Sequence, residues 1–228
     1  LMSDVNFRLA VAYAINRDEM IAIARNGYGE IPTYGSFWAP ATEYANTDIP
    51  LIEQDVEKAK EYLAKSSYNG ETVEIACALT EMTKNAQVIQ ANLDAIGVST
   101  TIKETDRAGL SAYANWGNTD HQMVSSAGGW QTFASTCRNF YYPGSSINRA
   151  QYDNDEVTAL LDKAAATIDE AEREQIYKEA QELITADLPY LLLYNSKHVV
   201  CCQAGVEGLI NPCDVPLQDF SLAYMIEG

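Results

Sequence analysis

Hydrophobic residues recur along much of the chain with the spacing of one face of a helix. Val56, Ala59 and Leu63, for example, occupy positions i, i+3 and i+7 of one segment. Asp55 precedes them and can accept a backbone hydrogen bond as the N-cap. Spacing and capping residues together predict helices over residues 5–16, 17–26, 55–66, around 89–96, 106–115, 157–168 and 176–184.

Alternating and β-branched residues between these helices predict strands. This pattern is found over residues 72–79, 98–104, 121–127, 191–194 and 198–202. Gly97 stands where a helix would end in a left-handed residue before the second strand. Strands separated by helices of this length predict an α/β fold in which the helices pack on the faces of a sheet.

Two irregular segments are candidates for ligand contact. Residues 29–50 combine proline and glycine with Tyr34, Phe37 and Trp38, which either pack the loop down or face a ligand. After the strand over 121–127, two glycines lead into Trp130, and ligands bind outside the carboxyl ends of strands in α/β sheets. Trp130 is therefore either a platform for a ligand or a core residue.

Composition and charge narrow the class of protein. The 228 residues contain 47% hydrophobic and 21% charged residues, which is typical of a globular chain. Asp and Glu number 32 against 15 Lys and Arg, so the net charge of −17 disfavours nucleic acid. The apolar run over 188–194 contains Pro189 and is too short to span a membrane. The chain shows no signal peptide, and we expect it to be a piece of a longer protein.

The sequence indicates neither a metal site nor an enzyme. The five cysteines include no CxxC pair, and pairing of Cys137 and Cys213 with each other or with Cys201 or Cys202 stays open. In an extended strand His198 and Cys202 lie about 13 Å apart, too far to share a metal. Because no catalytic or phosphate-binding motif occurs, we expect no catalytic residues and no cofactor.

The order of several motifs resembles one known family. The stretch from Arg8 to Arg17 is similar to its R-x-A-x-x-Y-A-I-D-R signature, with Asn16 in place of the usual Asp. Further similarity is found at Lys58-Ala59-Lys60, Leu63, Tyr68 and Gly70, at Gln90, Leu93 and Ile96-Gly97-Val98, and from Tyr152 to Pro189. The chain thus resembles the C-terminal lobe of the family 5 extracellular solute-binding proteins of ABC importers, the dipeptide, oligopeptide and nickel binder group.

This resemblance implies a type II periplasmic-binding-protein-like lobe, with a mixed sheet and helices on its faces. It implies reversible capture of a peptide or other small solute between two lobes, delivered to an ABC permease. Residues 1–195 would form the second lobe, and 196–228 would return to the N-terminal lobe. The protein would be extracytoplasmic, either periplasmic or a lipoprotein anchored at the cell surface. Two alternatives stay open: a sensor or chaperone-like domain on the same fold, and an α/β hydrolase or thiol enzyme.

The resemblance also suggests where the solute binds. Peptide binders of the family carry an Asp three residues after this tryptophan, which pairs with the peptide's α-ammonium, and here Phe133 takes that position. Another acid must therefore supply the charge, or the ligand is not a peptide with a free N-terminus. We expect ligand contacts from Trp130, Gln131 and Thr132 beside Phe133, an anion partner in Arg138, and further contacts from Tyr34, Phe37 and Trp38.

Overall fold

The computed structural model describes residues 1–128, 133–197, 201–208 and 222–226. In these ranges the α-helices are α1 (Val5–Ala14), α2 (Arg17–Arg25), α3 (Val56–Lys65), α4 (Thr80–Asp94), α5 (Arg107–Tyr113), α6 (Ala134–Cys137), α7 (Asp155–Ala166) and α8 (Glu170–Asp187). The strands are β1 (Gly29–Glu30), β2 (Val73–Ala78), β3 (Thr100–Thr105), β4 (Met123–Ser125), β5 (Asn195–Ser196), β6 (Val206–Glu207) and β7 (Tyr224–Met225). None of the described helices is long and apolar enough to cross a bilayer.

Short polar side chains begin most of these helices. Asp4, Asp55 and Asp106 each accept a hydrogen bond from a backbone N–H of the first turn, as predicted. Gly97 has φ +88°, which confirms the predicted left-handed residue after α4. The helix after Asp106 ends at Tyr113, two residues before the predicted end.

The central sheet has the strand order β3-β2-β4, and both pairings are parallel. Ile75 of β2 lies opposite Ile102 of β3 and Met123 of β4. The antiparallel pairs, β1 with β5 and β6 with β7, form separate two-stranded sheets. The α/β fold is confirmed, and both strand directions occur as predicted, but in separate sheets within the described ranges.

Two large hydrophobic cores hold the structure together, beside a small third cluster of Ala76, Ala78 and Leu110. The first surrounds β2, where Val73, Ile75 and Cys77 are fully buried against residues of α1 and α4 such as Phe7 and Leu93. The second joins α7 and α8 to the aromatic loop over 31–50. This loop therefore belongs to the body of the domain.

The predicted strand over residues 191–194 is wrong. These residues form no ladder, and the strand begins only at Asn195, where it pairs with β1. Leu193 and Tyr194 pack against the first core, and the carbonyl of Leu192 accepts a hydrogen bond from Arg17 Nε at 3.1 Å. The segment is apolar because it covers a core. One of its backbone carbonyls bonds to an arginine side chain and not to a neighbouring strand. Of the strand predicted over 198–202, residues 198–200 lie outside the described ranges and the last two are irregular.

Two arginines of the first motif hold distant parts of the chain together. Arg8 donates from Nε to the carbonyl of Asp187 at 2.8 Å and from Nη1 to that of Met2 at 2.6 Å. Arg17 is 5% exposed and also donates to the carbonyl of Ile52 at 2.6 Å. Burial lowers the pKa of both guanidinium groups. The motif thus secures the chain where it leaves α8, at Asp187 and Leu192.

Candidate ligand-binding cleft

A cleft of about 1690 Å³ runs along β4, from Thr119 before the strand to Gly128 after its carboxyl end, and reaches α4, which follows β2. Its walls come from α1 and the residues before it, α4, residues 119–128 around β4, the aromatic loop, and the segments over 147–153 and 187–196. In a parallel sheet the carboxyl edge is where loops from neighbouring strands meet and where ligands bind. One end of the cleft therefore adjoins the segment for which the sequence predicts ligand contact, and the cleft is larger than most small-molecule pockets.

The wall formed by α4 carries a closed polar network. Tyr194 Oη lies 3.1 Å from both Glu81 Oε1 and Asn85 Oδ1, and Asn85 is buried. Arg25 Nη1 lies 2.5 Å from Glu81 Oε2, so the charge of this carboxylate is already neutralised. Burial, the largest cause, raises the pKa of Tyr194 to about 12. Glu81 is consequently a poor partner for a ligand ammonium.

The opposite wall follows β4. Ser126, the first residue after the strand, accepts a hydrogen bond from Arg149 Nη1 at 2.6 Å. The carbonyl oxygen of Arg149 lies 2.8 Å from His121 Nε2, which precedes the same strand. Ser126, His121 and Arg149 all line the cleft, so a long loop is fixed to both ends of β4.

The floor near α8 is organised by Asp187. Its Oδ2 accepts hydrogen bonds from Tyr152 Oη at 2.6 Å and from Asn154 Nδ2 at 2.9 Å. Burial, followed by the bond to Asp187, raises the pKa of Tyr152. Because Asn154 also caps α7, this network ties the cleft to the second core.

The predicted contacts after β4 fall into two groups. Trp130, Gln131 and Thr132 lie outside the described residues, and their contacts stay predictions. Phe133 directly precedes α6, is 58% exposed and is not among the described residues that line the cleft.

Arg138 forms an ion pair within the protein. Its Nη2 lies 2.7 Å from Asp162 Oδ1, and its guanidinium stacks on Tyr142 with 4.4 Å between Cζ and the ring centroid. It does not line the cleft. The role of Arg138 as an anion partner of the solute stays a prediction, and a carboxylate on α7 already neutralises its charge.

The loop aromatics reach the cleft but serve mainly as packing. Trp38 is 2% exposed and packs against Tyr177 with 5.3 Å between ring centroids. Tyr34 Oη donates to the carbonyl of Trp38 at 2.7 Å, and burial raises the pKa of Tyr34 to about 12. Phe37 contacts Tyr190 at 5.0 Å. All three loop residues line the cleft, where only part of each ring is available to a solute.

The structure shows which of the described cysteines are buried and which are exposed. Cys77 and Cys137 are buried free thiols, whereas Cys201 and Cys202 are exposed free thiols. Burial raises the pKa of Cys137 to about 12, so this thiol lacks the ionisation of a nucleophile. Within the described residues, no group of three or more His, Cys, Asp or Glu could hold a metal.

Sequence reasoning missed Asn85, His121 and Arg149 as lining residues. A usable signal was present for His121, which stands just before the strand that leads into the glycine pair. For Asn85 and Arg149 the local sequence carries no such signal, because a helix face and an irregular loop bring them to the cleft.

A parallel sheet with helices on its faces and an open cleft that reaches its carboxyl edge defines a class of ligand-binding lobes. Residues 1–150 match the family model described as bacterial extracellular solute-binding proteins, family 5 Middle. The chain belongs to this family, as its motifs predict. Its fold is that of a lobe of the type II periplasmic binding proteins.

Three relatives illustrate the similarity. The glutathione-binding protein GsiB of Pectobacterium atrosepticum is 29% identical over 84% of this chain and 39% of its own length. Heme-binding protein A of Haemophilus influenzae is 27% identical over 91% of this chain and 39% of its own. The structure of DppA from Helicobacter pylori with the peptide STSA has a TM-score of 0.82 and 28% identity, covering 98% of this chain and 44% of that one. The chain thus spans about two fifths of the length of the curated relatives that it matches.

Proposed function

We propose that this chain is the second lobe of an extracytoplasmic solute-binding protein that serves an ABC importer. The lobe captures a peptide or another small solute reversibly, without chemistry, and presents it to a membrane permease. The single observation that carries the proposal is the open cleft that reaches the carboxyl edge of the parallel sheet in a chain of this family. The relatives support the proposal, since their names state binding of glutathione, heme and a peptide.

The proposed division of the chain places the lobe at residues 1–195 and the return segment at 196–228. Asn195 and Ser196 pair with β1, and this is the last strand pairing between the tail and the rest of the described chain, which supports a boundary close to this strand. Beyond it, β6 and β7 pair with each other. A segment whose described strands pair with each other suits docking on another lobe, which we propose to be the N-terminal one.

The proposed mechanism is closure of two lobes around the solute. A solute stabilises the closed state only by the difference between its affinities for the closed and open states. A micromolar Kd corresponds to about 8 kcal/mol, which both lobes would supply together. This lobe alone should therefore bind its solute weakly, and the permease would recognise the closed pair.

The first test is native mass spectrometry of the complete two-lobed protein, purified without denaturation. A retained peptide ladder or a single discrete solute supports capture. A protein that arrives empty and then binds no member of a peptide, sugar and metal-chelate screen would remove the proposal in favour of a sensor or chaperone-like role. Permease and ATPase genes beside its own would favour import.

A second test concerns the residues after β4. If Trp130 is a platform for the solute, Trp130→Ala in the complete protein should weaken affinity well over tenfold and leave the melting curve nearly unchanged. Titration calorimetry measures the affinity and thermal denaturation the stability. A large loss of stability would instead make Trp130 a core residue.

A further inference from the structure

The cleft contains an arginine whose charge meets no described carboxylate. Arg149 is half-buried and donates from Nη1 to Ser126 Oγ, a neutral hydroxyl, at 2.6 Å. Within the described ranges it forms no ion pair, and its Nε and Nη2 donate to no residue. One side of the planar guanidinium fork is thus held, while its remaining N–H groups have no described acceptor.

This situation differs from that of the other half-buried or buried arginines. Each of those bonds a carboxylate, a backbone carbonyl or a tyrosine oxygen: Arg8, Arg17, Arg25, Arg138 and Arg173. Arg107 on α5 also has no described partner, but it is exposed and water can solvate it. Water reaches Arg149 as well, since its bond to Ser126 is solvent-exposed, but in a chain with 32 acidic and 15 basic side chains the absence of an acidic partner among the described residues still needs an explanation.

The position of Arg149 supplies that explanation. Ser126 directly follows β4, at the carboxyl edge of the parallel sheet, and both residues line the cleft. The contact between His121 Nε2 and the Arg149 carbonyl fixes the backbone there as well. Closure of a second lobe would remove water from the guanidinium, which is strongly unfavourable unless an anion replaces the water.

We propose that Arg149, positioned by Ser126, binds an oxyanion of the solute, either a carboxylate or a phosphate. A planar guanidinium fork matches both groups through two parallel hydrogen bonds. The inference rests on the proposed function and adds the chemical class of the solute, which is anionic. It also assigns the role of anion partner of the solute to Arg149, where the sequence analysis predicts Arg138.

The test compares probes that differ by one anionic group, on the complete two-lobed protein. One pair is a tripeptide mixture with free C-terminal carboxylates and the same mixture with C-terminal amides. The other is glucose 6-phosphate and glucose. Calorimetry should show that the wild type binds the anionic member of one pair at least tenfold more tightly than its neutral counterpart, and which pair responds identifies carboxylate or phosphate.

Three variants isolate the guanidinium. Arg149→Gln should weaken binding of the anionic probe about 10- to 100-fold, as expected for hydrogen bonds to a charged group. Arg107→Gln removes the same charge from the exposed face of α5 and should bind like the wild type. Arg149→Lys keeps the charge but not the fork, so it should recover part of the affinity, which a simple folding defect would not produce.

Several outcomes overturn the inference. Equal binding of anionic and neutral probes, or unchanged affinity in Arg149→Gln, shows that the arginine does not recognise an anion. A wild-type protein that retains a neutral solute in native mass spectrometry overturns the inference and leaves the proposed function standing. A wild-type protein that arrives empty and binds no probe overturns both.

Discussion

Replacing Gln181 with leucine tests how the aromatic loop is held against α8. Gln181 is 1% exposed, and its Oε1 accepts hydrogen bonds from Ser36 Oγ and from the backbone N–H of Asn46, both at 2.8 Å. Its Nε2 donates to the carbonyl of Tyr44 at 2.8 Å. A single buried amide therefore connects three points of a loop that forms one wall of the cleft and part of the second core.

The magnitude follows from the groups left without partners. Leucine has a similar volume, so the main cost comes from two buried donors, the Ser36 hydroxyl and the Asn46 N–H. Each buried donor without an acceptor costs about 1–3 kcal/mol, which gives about 2–6 kcal/mol together. Domains are typically stable by only about 5–15 kcal/mol, so the loss should be plain in an unfolding curve.

Urea denaturation followed by circular dichroism measures this loss, with m-values compared between variants. Gln87→Leu is the matched control, since Gln87 is exposed on α4 and the same replacement there should change stability by no more than about 0.5 kcal/mol. A loss at Gln181 below about 1 kcal/mol, or one equal to that of the control, would refute the idea that this amide holds the loop.

Two further predictions concern titratable groups. Burial raises the pKa of Tyr34 to about 12, so folding favours its protonated form, and the stability that it contributes below pH 10 is lost as the pH rises towards 12. Tyr34→Phe should make urea midpoints fall less between pH 8 and pH 11, and an unchanged decline would contradict this. Iodoacetamide at pH 8 should label exposed Cys201 and Cys202 well before Cys137, whose pKa is raised to about 12, as peptide mass spectrometry of timed samples can show. Equal labelling rates at Cys137 and the exposed cysteines would instead support the alternative of a thiol enzyme.

Much of the secondary structure could be predicted because it depends on neighbours within one or two turns. Asp55 lies three residues from the Lys58 N–H that it caps, and the periodic positions of α3 lie within the same short segment. The β2 and β3 strands follow from alternation, and the left-handed Gly97 from its place after α4. The order of motifs was also sufficient to predict the family, because it spans most of the chain.

One end of the cleft could be predicted from the sequence, but the rest of its lining and its chemistry could not. The prediction that ligands meet the chain after β4 uses only strand direction and local glycines, and one end of the cleft lies there. Which arginine faces a solute depends on partners far along the chain. Arg138 is neutralised by Asp162, 24 residues away, whereas Arg149 meets a serine 23 residues away.

The sequence by itself determined the class of fold, the helix caps Asp4, Asp55 and Asp106, the central strands and the family. Only the tertiary structure decided that Trp38 is core, that residues 191–194 cover a core without joining a sheet, and that Arg17 binds a carbonyl 175 residues away. The physical reason is the distance along the chain over which each interaction acts. Periodicity and capping are local free-energy preferences, whereas burial and charge compensation depend on which distant segments the packed chain brings together.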